Sequence, residues 1–212
     1  MIQMFHVKQK AKMEQLKTYL DNSQKEITIY MELLKKWQKA VNLIAPSTVP
    51  DLYQRHIVDS AQLYPLIPDT ARVLVDMGSG AGFPGLVLAI LNQTNQGPLE
   101  QIILIESDTK KSLFLKEVVR VLQIPVLVLN QRIEHVLGLT ADVVTARALA
   151  PVAELLRLGR SFITPKTTCL FLKGEHVDDE LLQSPLPGSV QKIKSITNSN
   201  GSILKITEVS DD

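Results

Sequence analysis

Four glycines, at positions 78, 80, 82 and 85, separate two apolar runs in the stretch "VLVDMGSGAGFPGLVLAI". Asp76 precedes them, and Glu106 closes the next apolar run, "QIILIES". Glycine between a strand and a helix permits positive φ and lets backbone approach a ligand closely. A loop of this kind lies at the carboxyl end of a parallel sheet, where such folds bind nucleotide-like molecules. The stretch has two spellings. Read from Asp76 it is Asp-x-Gly-x-Gly-x-Gly, which suits a methyl donor. Read from Gly80 it is Gly-x-Gly-x-x-Gly, which suits a dinucleotide. An acid at Glu106 can accept from both ribose hydroxyls and serves either ligand.

Three features separate the ligands. Asp76 repels a pyrophosphate, yet can hold the ammonium of a methionine moiety, directly or through water. Pro84 removes one of the helix-start N–H donors that a pyrophosphate needs. A terminal hairpin, described below, is not expected of a plain dinucleotide fold. Together they favour S-adenosyl-L-methionine over NAD(P).

These residues need elements to hold them. Before Leu66 the chain has a helical period. Ile27, Tyr30, Met31, Leu34, Trp37 and Val41 form one stripe in "SQKEITIYMELLKKWQKAVNL", the spacing of an amphipathic helix. Ser23 and Glu26 spell a capping box. "VPDLYQRHIVDSAQLYPLI" reads as a second helix with Pro50 in its first turn. Residues 1–68 are therefore expected to be a small helical cap, and 69–212 the ligand-binding domain. After Asp69, strands and helices alternate through "RVLVDM", "PGLVLAILNQ", "QIILIES", "TKKSLFLKEVVRVLQI", "VLVLN", "DVVTARA", "PVAELLRLGRSFI", "TTCLFLKG" and "EHVDDELLQ". Such alternation implies a parallel sheet covered on both faces. "SVQKIKSIT", "NSNG" and "SILKITEV" read as a β-hairpin with a tight Asn-Gly turn. The expectation is a Rossmann-like α/β fold with seven strands, one of the last two antiparallel to the rest.

Composition narrows the class. With 45% hydrophobic and 21% charged residues over 212 positions, the chain is an ordinary soluble globular protein. A net charge of +1 gives no bulk signal for nucleic acid, although a local basic face is compatible with it. Lysines interrupt the N-terminal stretch, which excludes a signal peptide, and no run is long enough to span a membrane. The single cysteine, Cys169, lies in an apolar run and reads as a buried structural thiol in a cytoplasmic protein. The four histidines are scattered without ligand spacing, so no metal site is expected.

"KWQKAVNLIAP", "RHIVDS", "VDMGSGAGFPGLVLAI", "IESDTKKSLFLKEV", "TARALAP" and "LKG" occur in this order between residues 36 and 174. In these segments the chain resembles the glucose-inhibited division protein B family, the bacterial ribosomal RNA small-subunit methyltransferases G. The resemblance implies a class I methyltransferase that moves a methyl group from adenosylmethionine to N7 of one guanine in 16S rRNA, near the decoding centre. It implies cofactor contacts at Gly78, Phe83, Ile133, Glu134 and Arg147, beside Asp76 and Gly80 of the loop and Glu106 at the end of the second strand. The 16S rRNA, in the small subunit or an assembly intermediate, is the implied partner. A monomer is the simplest expectation.

Guanine N7 carries a lone pair and no proton, so its methylation needs alignment rather than a base. Arg147, after the fourth strand, is the candidate active-site residue. It could hold a phosphate, the cofactor carboxylate or guanine O6. Lys173 could bind an RNA phosphate or be a solvated strand-end lysine. Arg55 and His56 lie on the cap, with Asp59 about one turn on and on the same face. RNA or cofactor contact is one role for His56; a hydrogen-bonded structural histidine is the other. Lys35, Lys36, Lys39, Lys110, Lys111 and Lys116 could form a phosphate-binding face or merely be solvated. Two readings compete with the methyltransferase: an NAD(P)-dependent oxidoreductase, and a non-catalytic binder of adenosylmethionine or RNA.

Overall fold

The computed structural model describes residues 13–183 and 186–209. Most of the N-terminal stretch 1–16, read above as not being a signal peptide, lies outside them. The sheet comprises β1 (Val73–Met77), β2 (Gln101–Ile105), β3 (Val126–Leu129), β4 (Val143–Arg147), β5 (Thr168–Lys173), β6 (Ser189–Lys194) and β7 (Ser202–Thr207). Its order is β3-β2-β1-β4-β5-β7-β6. Strands β1 to β5 run parallel, β7 runs antiparallel to β5, and β6 pairs antiparallel with β7. The strand count, direction and terminal hairpin agree with the sequence expectation.

The helices follow the apolar pattern. Residues 13–22 (α1) are helical, followed by α2 (Gln24–Trp37) and a short α3 (Asp59–Ala61). Next come α4 (Gly85–Thr94), α5 (Thr109–Leu122), α6 (Val152–Gly159) and α7 (Val177–Gln183). Period-2 alternation divides the core between the two faces of the sheet. Leu74 and Leu104 join Leu20, Ile27, Leu34, Leu86 and Phe114 under α1, α2, α4 and α5. Val75, Met77, Cys169 and Phe171 join Leu155 and Val177 under α6 and α7. The N-terminal helices thus share one apolar cluster with the sheet. Each fully buried Leu or Ile there contributes about 1.5–3 kcal/mol of transfer free energy.

Three local expectations need correction. Ser23 does not open a capping box, because the chain reaches it already helical. Its N–H donates to Leu20 O, and its hydroxyl donates to Tyr19 O at 2.8 Å. Residues 49–67 are not one helix. A turn at 50–51 leads into a π-helical stretch, Tyr53–Val58, then α3, then a 3₁₀ turn at Tyr64–Leu66. Pro65 within that last turn cannot donate to a continuing helix. Finally, β6 ends at Lys194 rather than running to Thr197. Ser195 and Ile196 turn aside to bond Gln62, and the Thr197 hydroxyl donates to Asp59 Oδ1.

Candidate active site

The glycine loop joins β1 to α4 and floors a cavity of about 610 Å³. Gly78, Gly80 and Gly82 all have positive φ, at 63°, 58° and 97°, the conformation that glycine alone adopts without strain. Tyr30, fully buried on α2, donates its hydroxyl to Ala81 O. One helix of the N-terminal segment therefore pins the loop. Glu106 holds the other side. Its Oε2 accepts from Gly80 N and its Oε1 from Asp108 N, both at 2.7 Å. Each carboxylate oxygen retains a lone pair, and Glu106 lines the cavity with Gly78, Gly80, Phe83, Ile133, Glu134 and Arg147. Seven of the residues named from sequence thus meet in one cavity.

Asp76 does not line it. Strand alternation sends its side chain to the α4 face, where it is fully buried. Its Oδ1 accepts from Thr145 Oγ1 at 2.7 Å, and its Oδ2 accepts from Gly85 N at 3.2 Å. Burial pushes its pKa up to about 6, against the pull of Thr145, Ser79, Gly85 and Arg147. A direct contact between Asp76 and a cofactor ammonium is therefore corrected. Asp76 ties β1 to β4 and places a carboxylate at the N-terminus of α4, the position an external anion would take. A Cβ on Gly85 would lie 2.7 Å from that carboxylate.

Arg147 points to the face that Asp76 and Thr145 share, two residues along β4. Its Nη2 donates to His56 Nδ1 at 2.8 Å, and its Nη1 donates to Arg55 O at 3.3 Å and lies 3.6 Å from Asp59 Oδ2. The guanidinium sits 4.7 Å from the centroid of the Phe83 ring, on which His56 also stacks at 4.9 Å. Burial lowers the Arg147 pKa and Asp59 raises it again; arginine remains charged throughout. Asp59 is held in turn by Gln62 and Thr197. Arg147 is therefore anchored to the N-terminal segment while still lining the cavity.

Arg55 is exposed and meets Arg147 only through its carbonyl; neither Arg55 nor His56 lines the cavity. His56 is hydrogen-bonded at both ring nitrogens, with Nδ1 2.8 Å from Arg147 Nη2 and Nε2 2.9 Å from Thr48 Oγ1. Lys173 is neither a phosphate ligand at the cavity nor solvated. It is 10% exposed, 2.8 Å from Glu180 Oε2, and donates to Ala150 O at 2.9 Å. Trp37 packs against Phe114, and Cys169 is buried. Among the lysines weighed as a phosphate face, Lys111 reaches the cavity lining.

Sequence reasoning missed Leu149, Arg132 and Tyr30 as site residues. Leu149 is 39% exposed and lies over the loop, so that a Cβ on Gly78 would come 2.7 Å from its Cδ1. Its neighbour Ala148 holds a φ of 50°, a strained value outside glycine. Tyr30 appeared only as one member of an apolar stripe, which says nothing about its hydroxyl.

Comparison with known proteins gives a family match and a fold match. The family model for rRNA small subunit methyltransferase G matches residues 23–202. A ribosomal RNA small subunit methyltransferase G of Paramagnetospirillum magneticum is 48% identical over 87% of this chain and 88% of its own length. One from Rhodospirillum centenum is 45% identical over 86% of this chain and 83% of its own. Among solved structures, a SAM-dependent methyltransferase from Aquifex aeolicus superposes with a TM-score of 0.55 at 15% identity. That match covers 77% of this chain and all of the other, and it shows the shared fold.

Proposed function

The chain belongs to the rRNA small subunit methyltransferase G family, and from that premise we propose that it methylates N7 of a guanine in 16S rRNA. S-adenosyl-L-methionine, when bound, supplies an electrophilic methyl group on a sulfonium. The residues present fit that cofactor. Glu106 offers carboxylate lone pairs for ribose hydroxyls. Ile133 and Glu134 line the same cavity, and Gly78 and Gly80 give open backbone. A pyrophosphate fits poorly, because the start of α4 already holds the Asp76 carboxylate. That occupied helix N-terminus is the observation that carries the reading and disfavours an NAD(P)-dependent oxidoreductase.

The chain's own residues then have a positioning task. Guanine N7 needs no deprotonation, so the barrier falls chiefly by alignment, by roughly 7–11 kcal/mol in favourable cases. Arg147 offers a fixed guanidinium at the cavity wall for a carboxylate, a phosphate or guanine O6. Leu149 offers an apolar surface beside it. The described part of the N-terminal segment, residues 13–68, acts as a cap that pins the loop through Tyr30 and orients Arg147 through His56 and Asp59. The enzyme works as a cytoplasmic monomer on the small subunit or an assembly intermediate. No helix among the described residues is long and apolar enough to cross a membrane. Deleting the gene tests the reading: mass spectrometry of 16S rRNA should show loss of one N7-methylguanosine. Full retention of that nucleoside overturns it.

A further inference from the structure

The segment between β4 and α6, residues 148–151, contributes to the cavity wall. Ala148, Leu149 and Ala150 all line it, and Ala148 is held at positive φ. A strained segment keeps its shape only when its surroundings over-determine it. On the α2 and α4 face, Arg147 is fixed by His56 and Asp59. On the opposite face, strand alternation carries Lys173 toward α6 and α7, while its β5 neighbour Leu172 pairs in register with Arg147. There Lys173 donates to Ala150 O, and Glu180 Oε2 accepts both from Lys173 and from Val152 N at 3.0 Å. One ion pair thus grips the carbonyl and the amide that bracket Pro151.

We infer that Lys173 and Glu180 are positioning residues that hold residues 148–151, and with them Leu149, in the geometry required for methyl transfer. Lys173 acts through the protein rather than on RNA. Its ammonium spends its contacts on Ala150 and Glu180, and it is absent from the cavity wall. The pair is half-buried, at 10% and 24% side-chain exposure; such a pair adds little net stability, but removing one partner leaves the other charge without its partner. The segment it clamps is therefore sensitive to either loss. The inference rests on the rRNA methyltransferase reading.

The test compares wild type, Lys173→Met, Lys173→Arg and Glu180→Gln, using labelled adenosylmethionine and small-subunit rRNA. Thermal melts and the salt dependence of RNA binding are measured in parallel. Misplacement of reacting groups by about an ångström costs on the order of 100-fold. Lys173→Met should therefore lower kcat about 10- to 100-fold, with KM for RNA within about twofold of wild type. Lys173→Arg should restore most of the rate, and Glu180→Gln should fall between. The slope of log affinity against log salt should not change, whereas a phosphate contact would reduce it by about 1. A reduced slope with raised KM and intact kcat overturns the inference, and so does a folded Lys173→Met of wild-type rate. Should Lys173→Met not fold, Glu180→Gln decides alone: unchanged kcat in it overturns the inference. Inactive wild type refutes the methyltransferase reading instead, which keeps the two failures apart.

Discussion

Arg147 donates from Nη2 to Nδ1 of His56 across 2.8 Å. Arginine only donates, so Nδ1 accepts and the imidazole proton sits on Nε2, facing Thr48. His56 is therefore neutral where it holds Arg147. Its pKa lies near 4, lowered first by burial, then by Arg147 and Arg55. The bond joins β4 to the π-helical stretch, and it makes a residue outside the cavity responsible for the orientation of one inside it.

Replacing His56 by Ala leaves an Nη2 donor of a half-buried cation without its partner. A hydrogen bond to a charged group contributes roughly 1.5–3 kcal/mol. His56→Ala should lower the melting temperature and reduce kcat/KM for rRNA about tenfold or more. Circular-dichroism melts and a methyl-transfer assay check both. Wild-type rates would show that Arg147 keeps its place without His56.

Asp76 and His56 respond to acid in opposite senses. His56 has a lowered folded pKa, so between about 4 and 6.5 the unfolded chain binds more protons, and stability rises with pH. Asp76 has a raised folded pKa, so between about 3.8 and 6 the folded chain binds more protons, and stability falls as pH rises. The two trends oppose each other in wild type. Asp76→Asn removes the second, so its melting temperature should climb more steeply from pH 4 to pH 6 than that of wild type. Parallel curves for the two proteins would contradict the assignment.

The fold was legible because periodicity and alternation are written in the apolar residues. The seven strands and their flanking helices follow from runs such as "QIILIES" and "TKKSLFLKEVVRVLQI". The cavity was legible as far as glycine and strand-end acids mark it, at Gly78, Gly80 and Glu106. Asp76 stands beside the glycines in sequence, which suggested ligand contact, but its side chain is fully buried between Thr145 and the first turn of α4. Lys173 misled for the reverse reason: its partner Glu180 sits on α7, a register that sequence does not reveal. The Thr197–Asp59 bond joins positions 138 apart in sequence, and no local pattern announces it.

Gly80 and Gly85 should fail differently. A Cβ on Gly85 would meet Leu104 Cδ2 at 2.3 Å, an overpacking that typically costs about 1–3 kcal/mol. Gly85→Ala should therefore appear first as a lower melting temperature. A Cβ on Gly80 has open space, with only Gly78 O at 3.9 Å. Gly80→Ala pays about 1–2 kcal/mol for its positive φ and intrudes into the cavity, so cofactor affinity should fall further than stability does. Calorimetric titration beside thermal melts separates the two. Equal affinity losses per unit of destabilisation would contradict the placement of Gly80.

Glu106→Gln keeps the shape of the side chain and removes its charge. Losing a charge-assisted hydrogen bond of roughly 1.5–3 kcal/mol should weaken adenosylmethionine about 10- to 100-fold by isothermal titration. Unchanged affinity would place the ribose elsewhere.

Incubating the purified protein with methyl-labelled adenosylmethionine and small-subunit rRNA, then identifying the labelled nucleoside by mass spectrometry, tests the assigned chemistry most directly. Label in N7-methylguanosine at a single position is expected. Label in another nucleoside, or none in rRNA while NAD(P)H binds the cavity, contradicts it.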